Sequence, residues 1–191
     1  MTSSHPDLAA LRLETPRLYL RPLTTDDIDS IHRLGDDPEV AAGLSDLPNP
    51  YPRRAAVGLV HGMSQAIAAG AAYAFGVELK PPVLPDTVIG IVFLIPELEH
   101  RRAELIYWLG RVYWGNGYAT EAVRATLGFG FETLDLNRIH ASYFTRNPAS
   151  ARVMEKAGMR LEGVMREHYF KRGQALDLGS YGILRSDPRD R

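Results

Sequence analysis

Apolar and polar positions alternate along residues 17–21, a pattern with a period of two that predicts a half-buried β-strand. Further on, apolar residues recur at the spacing of one helix face, at Ile28, Ile31 and Leu34. Thr25 precedes them as a favourable N-cap, and the acidic residues next to it suit the positive end of a helix. The chain therefore begins with a predicted strand followed by a predicted helix.

The rest of the chain alternates between segments with a helical period and segments typical of strands. A second helix is predicted from Arg53 to about Ala69, where Gly70 is a favourable stop. Further strands are predicted at 72–78, 88–95, 104–109, 138–144, about 160–171 and 174–185, and further helices at about 118–134 and 148–157. This order predicts one mixed α/β domain over residues 12–185, with flexible termini at 1–11 and 186–191.

The composition narrows the class of protein. The 191 residues carry 22 basic and 23 acidic side chains, and the formal net charge of −1 argues against nucleic-acid binding through bulk charge. The absence of cysteine excludes disulfides, thiolate metal sites and a cysteine nucleophile. The histidines do not stand at metal-ligand spacing with acidic partners, so no metal is expected. The sequence shows neither a bilayer-spanning apolar run nor a secretory signal, and we expect a cytoplasmic protein without a membrane partner.

The most informative segment is residues 113–122, which read YWGNGYATEA. It follows a predicted strand and opens a predicted helix, a junction where unpaired backbone N–H groups can bind phosphate. Gly115, Gly117 and Ala119 are small enough to let phosphate oxygens approach the backbone. The segment lacks the lysine of a nucleotide P-loop and the full G-x-G-x-x-G spacing, which argues against ATP and NAD. The alternative interpretation is that these glycines only allow the chain to turn between the strand and the helix.

A second segment, at residues 147–159, reads NPASARVMEKAGM and also follows a predicted strand. Together the two segments resemble the cofactor motifs of the GNAT superfamily of acyl-CoA-dependent N-acetyltransferases. WGxGYATEA followed by NxxSxRVxEKxG is similar to the branch of the Rim-type ribosomal-protein N-terminal acetyltransferases, as is the opening LETPRLYLRPLTTDD. The resemblance implies a single-domain GNAT fold, with a mixed, mostly antiparallel central sheet of about six to seven strands flanked by about four helices.

The resemblance also implies acetyl-CoA as the co-substrate and indicates the residues that would bind it. Backbone groups of Trp108 and Leu109 would pair with the pantetheine arm, and Asn147 would bond to the same region. The pyrophosphate would lie against the N–H groups of six consecutive residues: Gly115, Asn116, Gly117, Tyr118, Ala119 and Thr120. Trp114, which stands where the family signature usually has Gln or Arg, is the tenth residue expected to bind the cofactor. Because the backbone is expected to make the phosphate contacts, we expect this departure to matter little.

Acetyl transfer to an amine requires a base, a hydrogen-bond donor to the oxyanion and an acid for the leaving thiolate. Glu104, at the start of the strand that would receive the pantetheine, is the candidate base, and a solvent-exposed strand end is its alternative. Ser150 is the candidate acid, although a serine near a helix start is also typical of a cap. Tyr143 and Tyr169 are rival acids, and the resemblance implies the N–H of Leu109 as the oxyanion donor.

These features predict an acetyl-CoA-dependent N-acetyltransferase that acts on a primary amine. The branch resemblance favours a protein or peptide N-terminal α-amine as the acceptor, and dimers are common for such folds. A small amine, such as a polyamine, an amino acid or an aminoglycoside-like molecule, is the alternative acceptor. A non-catalytic acyl-CoA-binding sensor that keeps the fold is the alternative from another functional class.

Overall fold

A computed structural model describes residues 11–81 and 87–188 of the chain. Its strands are β1 (Leu13–Glu14), β2 (Leu18–Pro22), β3 (Tyr73–Leu79), β4 (Gly90–Glu97), β5 (Arg102–Leu109), β6 (Arg138–Phe144), β7 (Arg160–Lys171) and β8 (Gln174–Leu184). They form one sheet in the order β1-β2-β3-β4-β5-β6-β8-β7. The described residues also form five α-helices: α1 (Ile28–Gly35), α2 (Pro38–Gly43), α3 (Arg53–Ala68), α4 (Tyr118–Glu132) and α5 (Pro148–Lys156).

Strands β5 and β6 run parallel and separate soon after they begin, whereas the other neighbouring strands described are antiparallel. Their pairing runs only from Arg102, opposite Arg138, to Glu104, opposite His140. β5 stays paired with β4 as far as Leu109, and β6 pairs with β8 on its other side. The C-terminal half of β5 therefore has an open edge that faces a gap in the sheet.

Apolar side chains from alternate strand positions fill two cores, one on each face of the sheet. The first core includes Leu127 of α4 and Met154 of α5, which are almost completely buried. The second core includes Ile31 of α1 and residues of α2 and α3. The end of β5 contributes to both, with Leu109 in the first core and Trp108 in the second. This packing on both faces holds the end of β5 in place beside the gap.

The structure confirms the predicted fold class and adds two elements to it. The two-residue strand β1 brings the sheet to eight strands, where about six to seven were predicted. The sequence pattern also does not predict α2, since so short a helix has too few positions to show a period. α2 starts with Pro38, which is favourable in a first turn, and Asp37 caps it by accepting a hydrogen bond from the N–H of Glu39 at 2.8 Å.

Packing extends slightly beyond the predicted domain limits. Leu11 is buried in the first core, and Asp187 forms an ion pair with Arg160 at 3.2 Å. Residues 1–10 and 189–191, which the sequence analysis assigns to flexible termini, lie outside the described residues. Within the described ranges, no helix is both long and apolar enough to cross a membrane.

Candidate active site

A cavity of about 310 Å³ opens at the gap between β5 and β6. Its walls come from the end of β5, the loop before α4, the first turn of α4, one face of α5 along its length, and α2. Ser150 lines it, as do nine of the ten predicted cofactor-binding residues: Trp108, Leu109, Trp114, Gly115, Gly117, Tyr118, Ala119, Thr120 and Asn147. Asn116 and Glu104 do not line the cavity. The fold thus brings together two motifs that are separate in the sequence.

The loop before α4 has a backbone geometry that suits an anion. Gly115 and Gly117 have φ angles of 79° and 80°, in the left-handed region that favours glycine. α4 begins directly after Gly117, so the N–H groups of its first turn lack partners within the helix. Ala119 and Thr120 of that turn line the cavity. Unpaired N–H groups and the helix dipole together stabilise a negative charge at this position.

Trp114 fastens the loop to the end of β5, because its indole Nε1 donates to the carbonyl oxygen of Leu109 at 2.8 Å. Successive strand residues turn their backbone groups to opposite edges, so Tyr107 and Leu109 face the open edge together. The carbonyl of Trp108 lies against Gly90 of β4, on the other edge. Trp108 therefore does not turn its backbone groups to the open edge, as expected of it for pantetheine, whereas Tyr107 does.

Ser150 lies in the first turn of α5 and is held by two neighbours. Asn147 caps the helix, and its side-chain oxygen accepts a hydrogen bond from the N–H of Ser150 at 3.3 Å. The hydroxyl of Tyr107 donates to the carbonyl of Ser150 at 2.9 Å and lies 2.8 Å from its Oγ. Burial raises the pKa of Tyr107 to about 12. The phenol therefore stays protonated at neutral pH, next to a hydroxyl in the cavity wall.

Sequence reasoning did not single out Tyr107, because alternation along β5 predicts only a half-buried position there. The rival tyrosines lie elsewhere: the hydroxyl of Tyr169 donates to Asp46 at 3.0 Å, and the Tyr143 ring packs against that of Tyr181 at a centroid distance of 5.6 Å. Neither rival lines the cavity. A hydroxyl-bearing residue inside the strand predicted to receive pantetheine was the signal that could have identified Tyr107.

Glu104 is half-buried at the point where β5 and β6 separate. Its strand neighbour His140 has an Nδ1 that is buried without a hydrogen-bond partner among the described residues. At a rise of about 3.3 Å per residue, the Cα of Glu104 lies roughly 17 Å along β5 from that of Leu109. Alternation places its side chain on the same face of β5 as Trp108. A base at this position requires intervening water to serve the cavity, and its role stays a prediction.

The β7–β8 hairpin supports the cavity wall that α2 provides. Lys171 Nζ donates to the carbonyl of Ala41 at 2.7 Å and also to the carbonyl of Leu44, which lines the cavity. Arg146 donates to the carbonyl of Ala42 at 3.4 Å. Burial lowers the pKa of Lys171, because the hairpin and α2 shield its ammonium group from water. The hairpin and α2 are thus tied together beside the cavity.

Charges around the cavity favour an anionic ligand. Arg152 and Lys156 of α5 line it, and Arg111 is paired with Glu39 at a distance of 3.2 Å. No group of three or more histidine or acidic side chains that could hold a metal ion occurs within 11–81 and 87–188. The cavity lining offers a ligand backbone N–H groups, basic side chains, hydroxyls, the amide of Asn147 and the carboxylate of Glu39.

Comparison with known proteins agrees with this geometry. Residues 17–160 match the family described as Acetyltransferase (GNAT) domain. The uncharacterized N-acetyltransferase p20 of Bacillus licheniformis is 31% identical over 178 residues, which are 92% of this chain and 97% of that protein. YoaA of Bacillus subtilis, also an uncharacterized N-acetyltransferase, is 32% identical over 178 residues, 93% of this chain and 98% of that protein. Spermidine N(1)-acetyltransferase of Escherichia coli (strain K12) is 31% identical over 75 residues, 39% of this chain and 40% of that protein.

Solved structures share the fold over nearly the whole chain. A GNAT-family acetyltransferase from Bacillus anthracis has a TM-score of 0.80 at 25% identity and covers 93% of this chain and 100% of its own. RimL, a ribosomal L7/L12 alpha-N-protein acetyltransferase solved in complex with coenzyme A, has a TM-score of 0.81 at 18% identity. The match covers 91% of this chain and 98% of RimL, and at this identity it shows a likeness of fold alone. From the family match, the full-length relatives and the loop at the sheet gap, we conclude that the chain belongs to the GNAT family of acetyltransferases.

Proposed function

We propose that this GNAT-family N-acetyltransferase transfers the acetyl group of acetyl-CoA to the N-terminal α-amine of a protein or peptide. The observation that carries the proposal is the cavity at the gap between β5 and β6, where the phosphate-binding loop, the open strand edge and Ser150 meet. The choice of acceptor is supported by the similarity of the motifs to the Rim-type branch.

The cavity offers a separate set of groups to each part of acetyl-CoA. The N–H groups from Gly117 to Thr120 suit the pyrophosphate, and Arg152 and Lys156 add positive charge on the α5 side. The open edge of β5 suits the amide groups of pantetheine, which can pair with it as a further strand would. With the pantetheine along this edge, the thioester comes close to the end of β5 and to Ser150.

The transfer step uses a donor, an acid and a base in turn. The amine nitrogen forms a bond to the thioester carbonyl carbon, and the N–H of Leu109 stabilises the negative charge that develops on the carbonyl oxygen. The C–S bond then breaks, and Ser150 Oγ gives the thiolate a proton. The phenol of Tyr107, 2.8 Å from this Oγ, replaces that proton once its O–H turns from the Ser150 carbonyl to Oγ, and water returns a proton to the phenolate. Glu104 accepts, through water, the proton lost by the attacking amine. The products are an N-acetylated amine and the free thiol of CoA.

A polyamine is the second candidate acceptor, since spermidine N(1)-acetyltransferase matches 75 residues of the chain. A sensor that binds acyl-CoA without chemistry is the remaining alternative. The hydroxyl pair of Tyr107 and Ser150 at the cavity favours an enzyme, because binding alone does not require a proton donor beside the thioester.

Incubation of the protein with acetyl-CoA and a set of acceptors tests the proposal, with thiol release and product mass measured together. The set contains a lysine-free peptide with a free N-terminus, the same peptide with a blocked N-terminus, and spermidine. We expect thiol release and one added acetyl group only with the free N-terminus. Release with spermidine alone would assign the second acceptor. CoA binding without release from any acceptor would support the sensor and overturn the proposed enzyme.

A further inference from the structure

Arg17 joins the turn before β2 to the loop before α4. Its Nη1 donates to the carbonyl of Asn116 at 2.9 Å. Its Nε donates to Glu121 Oε2 at 2.7 Å, and its Nη2 pairs with the same oxygen at 2.7 Å. The guanidinium also lies 4.7 Å from the ring centroid of Tyr118. One side chain from the beginning of the domain therefore contacts both the loop and the first turn of the helix.

The contact with Asn116 orients a peptide group of the loop. In a planar trans peptide, the carbonyl of Asn116 and the N–H of Gly117 point in opposite directions. Because the carbonyl is directed to Arg17, the N–H of Gly117 is directed away from Arg17. Gly117 lines the cavity and Asn116 does not. Arg17 thus holds the loop in the orientation that presents this N–H to an anion.

The contact with Glu121 neutralises a negative charge at the same helix end. Glu121 lies in the first turn of α4, and its side chain is 15% exposed. Burial opposes the charged form, but hydrogen bonds from Thr15 and Arg17 outweigh it and lower the pKa of Glu121. The carboxylate is therefore ionised close to the N–H groups that suit a phosphate. Without Arg17, it would repel an anionic ligand.

We infer that Arg17 is a positioning residue for the pyrophosphate of CoA, because it directs the Gly117 N–H into the cavity and neutralises Glu121. The inference rests on the proposed function, since it takes this loop as the site of the CoA pyrophosphate. The turn before β2 thus contributes to cofactor affinity, although it belongs to neither of the two cofactor motifs. The effect of Arg17 is confined to the phosphate-bearing part of the ligand.

Comparing the binding of CoA with that of pantetheine, which lacks both the phosphates and the adenosine, separates this role from a general structural one. The two tryptophans of the chain, Trp108 and Trp114, both line the cavity, so quenching of their fluorescence reports either ligand. Arg17→Met is expected to weaken CoA binding about tenfold, as for one lost charge-assisted hydrogen bond, and to leave pantetheine binding unchanged. Arg102→Met is the matched control, because Arg102 is as exposed as Arg17 and also pairs with a glutamate, Glu97, at the opposite end of β5.

A combined variant tests the charge argument. Adding Glu121→Gln to Arg17→Met removes the uncompensated carboxylate and is expected to recover part of the CoA affinity. If circular dichroism shows that Arg17→Met does not fold, Arg17→Lys replaces it. Lysine keeps the positive charge but has one nitrogen where Arg17 uses three to hold Asn116 and Glu121, so a smaller loss that is selective for CoA is expected.

Two outcomes overturn the role of Arg17: unchanged CoA binding in the folded variant, or equal weakening of CoA and pantetheine binding. The second outcome would mean that the side chain supports the whole cavity. Failure of the unsubstituted protein to bind CoA is a different result, because it contradicts the proposed function and removes the inference together with it.

Discussion

The hydroxyl of Tyr107 lies 2.8 Å from the Oγ of Ser150 and joins the end of β5 to the first turn of α5. The two residues come from elements that are far apart in the sequence and meet at the gap where β6 leaves β5. Burial keeps the phenol protonated by raising its pKa to about 12. The pair can therefore act as one proton donor in the cavity wall.

Tyr107→Phe removes one hydroxyl of this pair and keeps the aromatic ring. We expect kcat to fall about tenfold, because the Ser150 hydroxyl loses the partner that orients it and replaces its proton. The KM for acetyl-CoA is expected to stay unchanged. Steady-state kinetics at saturating acceptor provide the measurement, and Tyr143→Phe, outside the cavity, is the control. If Tyr107→Phe and Tyr143→Phe have the same kcat, the phenol takes no part in proton transfer.

Ser150→Ala removes the candidate acid itself. We expect kcat to fall about 10²-fold, since the thiolate must then leave without a positioned proton donor. Ser150→Thr keeps a hydroxyl and is expected to retain most of the activity. If the two hydroxyls act as a unit, the Tyr107→Phe/Ser150→Ala double variant is no slower than Ser150→Ala alone. Additive losses measured in the same assay would mean that they act separately.

Glu104→Gln tests the base that the structure leaves outside the cavity lining. The amide keeps the shape of the side chain but cannot accept a proton. We expect a kcat loss of about 10²-fold that is largest below neutral pH, where more of the amine arrives protonated. Affinity for CoA, measured by tryptophan quenching, is expected to stay the same. Glu97→Gln, on the neighbouring strand β4, is the control. Equal kcat values for the unsubstituted protein, Glu104→Gln and Glu97→Gln below neutral pH would assign Glu104 a structural role.

Gly117→Glu places a carboxylate at the loop position where α4 begins. Both its charge and the φ of 80° at this position oppose binding, and we expect acetyl-CoA affinity to fall at least about tenfold. Gly117→Ala experiences the same backbone strain without the charge, so calorimetry of both variants separates the two effects. Equal dissociation constants for Gly117→Glu and the unsubstituted protein, with folding intact, would remove the loop from the cofactor site.

Local signals explain which parts of the site could be predicted from the sequence. The small residues at a strand–helix junction mark the candidate phosphate loop within a short stretch of sequence, and Gly115, Gly117 and Asn147 all line the cavity. That they bind the cofactor stays a prediction. The contact of Arg17 with Glu121 could not be predicted in this way, because the two residues are 104 positions apart. The alternation in β5 likewise predicts the face of the sheet on which Tyr107 lies, but it does not predict which residue its hydroxyl contacts.

A buried ion pair at the start of α1 makes stability depend on pH. Arg21 donates to both carboxylate oxygens of Asp27, at 2.8 and 3.0 Å, and the N–H of Thr24 donates to one of them at 2.8 Å. Burial opposes the charged form, but these hydrogen bonds outweigh it and lower the pKa of Asp27. The stabilisation is therefore complete above the unfolded-state pKa of about 4 and is lost as the pH falls through the lower folded-state pKa.

Asp27→Asn is expected to lower the free energy of unfolding at neutral pH by about 2 kcal/mol, because the hydrogen bonds from Arg21 and Thr24 lose their charged acceptor while Arg21 keeps Glu78 as its second partner at 2.6 Å. The difference between the two proteins is expected to narrow below about pH 4, as the carboxylate of the unsubstituted protein becomes protonated. Urea unfolding across this pH range measures the difference in the free energy of unfolding. The control is Asp26→Asn, a substitution at the exposed residue next to Asp27. A difference that does not change with pH would contradict the role of the ion pair.

The balance of products tests the central claim most directly. Acetyl-CoA, the protein and a lysine-free peptide with a free N-terminus are incubated together, and CoA thiol and acetylated peptide are quantified in the same sample. We predict that the two products form in equal amounts, and that Gly117→Glu slows both to the same extent. CoA that quenches Trp108 and Trp114, together with no acetylation of this peptide or of spermidine, would contradict the claim that the cavity is the active site of an amine acetyltransferase.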